Sequence, residues 1–205
     1  GHKPKDAGAR ELPKGWQATT ISTVTSYLNR GVAPNYDESS PKRVINQKCI
    51  RDSQLRMEQA RSLANEVCNE KWLQKGDVLI NSTGTGTLGR VAQVREELDS
   101  ITVDTHVTIV RPKTGISPWF FGHQLQRMEA LFESLGEGAT NQTELKRDRI
   151  RDTSFLLPSP QVMASFDEKM EPMIEQIEVL RKQITQLRQA RDLLLPRLIS
   201  GQLRL

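Results

Sequence analysis

The chain has 205 residues, with 29 Lys and Arg against 25 Asp and Glu and a net charge of +4. That length holds one domain of ordinary size plus an appendage, and no run nears the roughly 18 apolar residues that a membrane span requires, so a membrane partner is not expected. Cys49, Cys68, His2, His106 and His123 are scattered outside any metal-ligand spacing, so neither a metal nor a cofactor is expected, and two free thiols fit a reducing cytoplasm. The mildly basic balance leaves nucleic acid open as a partner, because a local basic face can sit on a nearly balanced total.

Residues 1–11 read as a polar tail, of which Gly1-His2 is a cloning remnant. From Trp16 to Val110 the apolar residues come in short runs separated by Gly, Asn, Ser and Pro. Gly76-Asp77 is a turn signal and Val78-Leu79-Ile80 behind it reads as a buried strand. Ile101, Val103, Val107 and Ile109 alternate with polar neighbours, which predicts a half-buried strand closed by Arg111-Pro112. Ser117-Pro118 is an N-cap followed by a first-turn proline. Phe121, Leu125, Met128, Phe132 and Leu135 then follow at 4-3-4-3 spacing up to Gly136, predicting one helix of about 18 residues.

The pattern changes at Pro158-Ser159-Pro160. Met163, Phe166, Met170, Met173, Ile177, Leu180, Ile184, Leu187, Leu194 and Leu198 keep a 3-4 alternation over five heptads, broken at the slot occupied by Arg191. That is a coiled-coil seam on a helix roughly 54 Å long. Pro172 is expected to kink the helix or to mark its true start, and Pro196 to disturb its last turn. A seam this narrow and long is not expected to bury itself on the domain alone and calls for a partner helix. The fold class is α+β: a strand-rich domain over residues 12–158, then a long C-terminal coiled-coil helix over 159–205.

Gly84-Thr85-Gly86-Thr87-Leu88-Gly89 matches the dinucleotide-binding GxGxxG pattern, with Asp104 at the distance of a ribose-binding acid. The context argues against that use, since the third glycine must open a helix and here leads into the alternating Arg90-Val91-Ala92-Gln93-Val94. Strand, loop and strand over 77–81, 82–89 and 90–94 is the better reading. The loop then carries Ser82, Thr83, Thr85 and Thr87 beside Arg90, small and hydroxylated enough to meet phosphates or base edges. An ordinary flexible turn has the same composition.

Several segments resemble the specificity subunits of type I restriction-modification enzymes. Leu12-Pro13-Lys14-Gly15-Trp16 is similar to the opening of a target-recognition domain. Gly76-Asp77-Val78-Leu79-Ile80 running into the Gly-Thr loop is similar to that family's strand and loop, although the loop is longer than usual. Leu156-Leu157-Pro158-Ser159-Pro160-Gln161 looks like the border with the conserved helix, and Arg191-Asp192-Leu193-Leu194-Leu195-Pro196-Arg197-Leu198-Ile199-Ser200-Gly201 resembles the end of the second conserved region.

The resemblance implies a subunit without catalysis of its own that binds double-stranded DNA and works with methyltransferase and restriction subunits. A complete subunit of the family has two recognition domains spaced by antiparallel helices. With one domain, one helix and no internal repeat, this chain is either a half-length subunit or an excised half. Self-pairing through Met170, Met173, Ile177, Leu180, Ile184, Leu187 and Leu194 would restore two domains, now identical, reading a bipartite palindrome.

Arg30, Lys42, Arg43, Arg51, Arg56 and Arg90 are the phosphate candidates, with a solvated surface charge as the alternative for each. Arg30-Gly31 and Arg90 stand out because glycine lets the backbone approach DNA. A second loop, 136–143, brings Thr140, Asn141 and Gln142 just before Lys146 and Arg147, and such amides can pair with adenine. A turn-rich connector accounts equally for that composition. His106 falls on the polar phase of its strand. Arg191 has two readings: it specifies register in the seam, or the seam has frayed by that point. Two other functions compete. An adenine methyltransferase lacks here both its cofactor-binding sheet and its Asn/Asp-Pro-Pro-aromatic motif. A coiled-coil interaction protein with a domain that does not bind DNA is the alternative that remains.

Overall fold

The structure, a computed structural model, describes residues 12–138 and 143–202. In chain order the domain runs through β1 (Gln17–Thr20), α1 (Ile21–Val24), β2 (Thr25–Arg30), β3 (Arg43–Ile45), β4 (Ile50–Arg51), β5 (Gln54–Leu55), β6 (Arg61–Ser62), β7 (Val78–Asn81), β8 (Val91–Gln93), β9 (Ile101–Val103) and β10 (Val107–Pro112). There follow α2 (Pro118–Gln126), α3 (Glu129–Ser134), α4 (Arg147–Asp152), β11 (Ser154–Leu157) and the long α5 (Pro160–Ile199).

The organising element is an antiparallel sheet in the order β2-β10-β7-β8. Because successive strand residues point to opposite faces, Val78, Ile80 and Val110 enter one core with Phe121, Leu125, Phe132 and Phe155. Leu79, Val107 and Ile109 enter a second core with Ile45, Ile50 and Val103. The helices cover the first face. The smaller sheet β6-β3-β9 and the β4–β5 hairpin cover the second.

Covering both faces corrects one sequence expectation. The alternating stretch from Ile101 to Ile109 is two strands in different sheets, β9 parallel to β3 and β10 between β2 and β7. The break is a turn in which the Asp104 carboxylate accepts a hydrogen bond from the His106 N–H at 2.8 Å. The polar phase is buried as well. Thr102 donates to the Lys71 carbonyl at 2.7 Å and Thr108 shares a 2.6 Å hydrogen bond with Ser82, so each hydroxyl finds a partner away from water. His106 sits in the turn rather than on a strand.

The single helix expected after Ser117-Pro118 is also corrected. Ser117 caps it as read, accepting from the Phe120 N–H at 2.9 Å with Pro118 in the first turn. The helix breaks at Arg127–Met128 into α2 and α3. The break aims Glu129 at the edge strand, where its carboxylate accepts the Val91 N–H at 2.7 Å. Gly89 lies against the α3 backbone, where an added Cβ would fall 2.4 Å from the Glu133 nitrogen. The third glycine of the GxGxxG pattern therefore serves helix packing and leads into β8, as expected for a strand–loop–strand.

Ser159 and Pro160 open α5, which continues through Pro172 and Pro196 to Ile199, so Pro172 is not its start. The helix is not wholly free of the domain. Met163 and Ile174 are buried, Phe166 packs edge-on against Phe120 at 5.4 Å, and Asp167 hydrogen-bonds Ser117. Glu178 bridges Arg95 at 3.7 Å and Arg181 at 2.6 Å, and Lys182 reaches Glu96 at 2.8 Å. The docking stripe is thus Met163, Asp167, Met170, Ile174, Glu178 and Arg181. At about 100° per residue it lies roughly 90° around the helix from the Met173–Ile177–Leu180–Ile184 line, whereas Phe166 falls on that line, so this position, read from sequence as part of the seam, docks on the domain instead. Beyond Lys182 about 25 Å of helix projects from the domain, its residues 183–199 exposed. The helix is still formed at Arg191, which pairs with its neighbour Asp192 at 2.7 Å.

One buried ion pair pins the two central strands. Arg111 at the end of β10 donates Nε and Nη2 to the two oxygens of Asp77, at 2.7 and 2.8 Å, and Asp77 also accepts the Gln74 N–H. Burial pushes the Asp77 carboxyl up while Arg111 and the Gln74 N–H draw it down. Removing one partner strands the other charge, so Asp77→Ala is expected to cost about 3–5 kcal/mol. The exposed Lys42–Glu66 pair gives the contrast, and Glu66→Ala should leave the urea midpoint unmoved. Equal midpoints for the two variants would refute the role given to Asp77.

Candidate nucleic-acid interface

β7 delivers the Gly-Thr loop to one end of the central sheet, and β2 ends beside it, because β10 pairs with both. The loop closes on itself. Asn81 Nδ2 donates to the Thr87 and Gln47 carbonyls, each at 3.0 Å, and Arg90 Nη2 caps the Gly86 carbonyl at 2.8 Å. The hydroxyls divide into two kinds. Ser82 is fully buried on Thr108, and Thr87 turns inward to the Gly84 carbonyl at 3.2 Å. Thr85 is exposed, and Thr83 meets His106 Nδ1 at 2.7 Å at the surface.

The second candidate loop is stitched to the first. Glu137 and Glu144 exchange backbone hydrogen bonds at 2.9 and 2.8 Å, which closes the neck of the segment between them. Thr83 bridges Glu144, and the Leu145 N–H donates to the Ser82 carbonyl at 2.8 Å. Thr140, Asn141 and Gln142 lie outside the described residues.

Beside this seam of loops opens a polar cleft of about 500 Å³ lined by Asn29, Arg30, Gly31, Lys71, Glu144, Lys146, Arg147 and Asp148. Its cations are held. Arg30 Nη2 lies 2.7 Å from Glu144 and 3.3 Å from the Leu145 carbonyl, while its Nε is buried with no partner among the described residues. Lys71 donates to the Gly31 carbonyl at 2.8 Å, and Arg147 hydrogen-bonds Asn29. Lys146 and Arg149 both engage Glu137, at 2.7 and 2.6 Å. These contacts hold the Glu137 carboxyl below its ordinary range, the Lys146 hydrogen bond first among them, and raise Lys146.

Of the residues picked from sequence, the structure brings Arg30, Thr83 and Lys146 to this cleft and its rim, with Thr85 and Arg90 on the adjoining loop. Lys42, Arg43 and Arg51 are not among its lining residues. Arg43 braces a turn by donating to the Met57 and Ala60 carbonyls at 3.0 and 2.8 Å. Lys42 lies on Glu66, and Arg51 and Arg56 on Asp52. Gly31 is a packing glycine rather than an approach for a ligand, since a Cβ there would fall 1.7 Å from the Val103 carbonyl oxygen. Asn29, Lys71, Glu137, Glu144 and Arg149 escaped the sequence reading. The dense charge of Lys146-Arg147-Asp148-Arg149 was a signal for the last, but Asn29 and Lys71 reach the cleft through tertiary pairing alone. Among the described residues no cluster of His, Cys, Asp and Glu could hold a metal, and no helix is long and apolar enough to cross a membrane.

No protein-family model matches the chain. By sequence it is 24% identical over 208 residues to the type I restriction enzyme MjaIX specificity subunit of Methanocaldococcus jannaschii, covering 95% of this chain and 46% of that protein. By fold it matches a chain of a type I R-M system solved to explain complex assembly and conformational transition, with a TM-score of 0.58, 14% identity and coverage of 94% and 47%. The HsdS subunit of Thermoanaerobacter tengcongensis matches at a TM-score of 0.55 with 13% identity, covering 92% of this chain and 42% of that one. The chain therefore spans about half the length of the relatives it matches. The resemblance read from short segments thus holds for sequence and fold over nearly the whole chain.

The two kinds of hydroxyl can be told apart by stability. Ser82→Ala leaves the Thr108 hydroxyl buried without its partner and is expected to cost about 1–3 kcal/mol. Thr83→Ala, at the surface, should leave the thermal midpoint in place. The reverse order in differential scanning calorimetry would contradict this placement.

Proposed function

We propose that the chain is the sequence-reading unit of a type I restriction-modification complex: a DNA target-recognition domain carried on a spacer helix. One juxtaposition carries the reading. The two stitched polar loops and the cleft face one end of the domain, while α5 docks through one stripe and leaves a second, apolar stripe open. Among the seam residues, Met173 is 58% exposed, Leu180 46%, Ile184 48% and Leu187 69%. In a chain similar over 95% of its length to a specificity subunit, the loops are the DNA-reading surface and the open stripe is the pairing surface.

In this reading the unit is cytoplasmic and has no catalysis of its own. It positions methyltransferase and restriction subunits on double-stranded DNA. The open stripe pairs antiparallel with a second copy, so that two identical domains read a palindrome split by a spacer of fixed length. The residues assigned to DNA are Arg30, Thr83, Thr85, Arg90 and Lys146, together with the segment Thr140-Asn141-Gln142. Those assigned to pairing are Met173, Ile177, Leu180, Ile184, Leu187 and Leu194.

Selection from a random duplex pool, with the methyltransferase subunit present, tests the reading; a split palindrome should be enriched, with binding that weakens as salt rises. No enrichment and no salt-dependent binding would leave the interaction-protein alternative standing. Light scattering on the chain alone should give about twice its 23.2 kDa. Leu180→Asp with Leu187→Asp should return it to monomer, because two carboxylates in a seam cost several kcal/mol. The domain's melting should not change, as both positions lie outside the docking stripe. Inserting seven residues between Leu187 and Leu194 keeps the seam in phase and adds roughly 10 Å, about three base pairs of spacer. Methylation mapping that returned an unchanged spacer would refute the ruler.

A further inference from the structure

Glu137 gathers two cations at the loop neck. Its Oε2 takes Lys146 Nζ at 2.7 Å, and its Oε1 takes both Nε and Nη2 of Arg149 at 2.6 Å, charge-assisted contacts of the kind a phosphate oxygen also receives. The backbone exchange with Glu144 holds Glu137 at the loop neck. Glu144 repeats the arrangement on the other side of the neck by taking Arg30. The cations themselves are accessible, with side-chain exposures of 62% for Lys146 and 57% for Arg149 against 35% for Glu137. Two exposed cations on the candidate DNA face therefore already share one of the protein's own carboxylates.

We infer that Glu137 is an internal counter-ion that sets how tightly this face binds double-stranded DNA irrespective of sequence, by holding Lys146 and Arg149 off the phosphates. The inference rests on the DNA-reading function proposed above. Sequence-independent binding is almost wholly a matter of cations meeting phosphates and releasing counter-ions. A carboxylate shared by two of those cations weakens their contribution, because a phosphate must compete with it. Base contacts made by the loops are untouched by that competition, so a larger share of the remaining affinity depends on sequence. A purely structural staple between the loop neck and α4 makes the opposite prediction: loss of the carboxylate would loosen the surface and weaken binding.

The full chain, with the methyltransferase subunit present as in the selection above, is titrated with a short duplex of arbitrary sequence by fluorescence anisotropy, between about 50 and 200 mM salt. Glu137→Gln keeps the side chain's shape and should bind more tightly than the parent, with a salt slope steeper by about one unit. Its advantage should therefore be about three- to fourfold larger at the low end of that salt range than at the high end. Glu96→Gln makes the same change in net charge at the opposite end of β8, where Glu96 holds Lys182, and should not change the slope. Adding Lys146→Met and Arg149→Met to Glu137→Gln should erase the gain. Should Glu137→Gln bind arbitrary DNA equally or less tightly, or Glu96→Gln reproduce its slope, the inference is overturned while the DNA-reading function stands. If neither parent nor variant binds DNA at any salt, that function falls and the inference with it.

Discussion

The edge-on contact of Phe166 with Phe120, 5.4 Å between ring centroids, is the centre of the contact that ties the long helix to the domain. Aromatic pairs of this geometry add about 0.5–1.5 kcal/mol to the burial they accompany. Met163 and Ile174 bury their side chains on either side of it along α5. Trp16 and Phe155 close on Phe120 from the domain. The ion contacts of Glu178 with Arg95 and Arg181 extend the attachment by one more turn. A helix attached over five turns has a definite direction relative to the loops, as the proposed spacer role requires. Phe166 itself lies on the line of the apolar seam, so docking takes the start of that seam, while from Met173 onward the docked stripe lies about 90° from Met173, Ile177 and Leu180 and leaves them exposed.

The second constraint is that the central sheet is covered on both faces. Its strands must then carry polar residues inward as well as apolar ones, and each is satisfied locally: Asp77 by Arg111, Thr108 by Ser82, Thr102 by the Lys71 carbonyl. This is why the Ser82 hydroxyl is unavailable to a ligand, while Thr87 is turned inward by the Gly84 carbonyl of its own loop. The same coverage pushes the connections to the sheet ends. There the ends of β2 and β7 bring together Arg30, the Gly-Thr loop and the neck at Glu137 and Glu144.

Charge on that end is arranged in pairs rather than as a bare patch. Arg30 lies on Glu144, and Lys146 and Arg149 lie on Glu137. A chain with a net charge of +4 thus presents cations whose strength toward an anion depends on which carboxylates they must leave. Neither net charge nor a count of basic residues captures that, since the relevant quantity is the exchange between an internal and an external anion.

The sequence by itself determined the α+β class, the strand–loop–strand at the Gly-Thr loop, the Ser117-Pro118 helix start, and the change to one long C-terminal helix after Pro158. Each of these rests on spacing or capping within a few residues of chain, where 3.6- and 2-residue periods and local hydrogen bonds act directly. Tertiary structure alone decided that Ile101–Ile109 splits between two sheets, because burial on both faces erases the polar phase that marks a strand's solvent side. It decided that the helix after Ser117 breaks, because Glu129 answers an N–H on an edge strand 38 residues away in the chain. It decided which part of α5 docks, since Phe166, Asp167 and Glu178 find partners in Phe120, Ser117 and Arg95 of the domain. And it decided which cations face the cleft. A lysine or arginine looks the same in sequence whether it braces a carbonyl, as Arg43 does, or lines a cleft, as Arg30 does. The difference lies in partners brought together from distant parts of the chain.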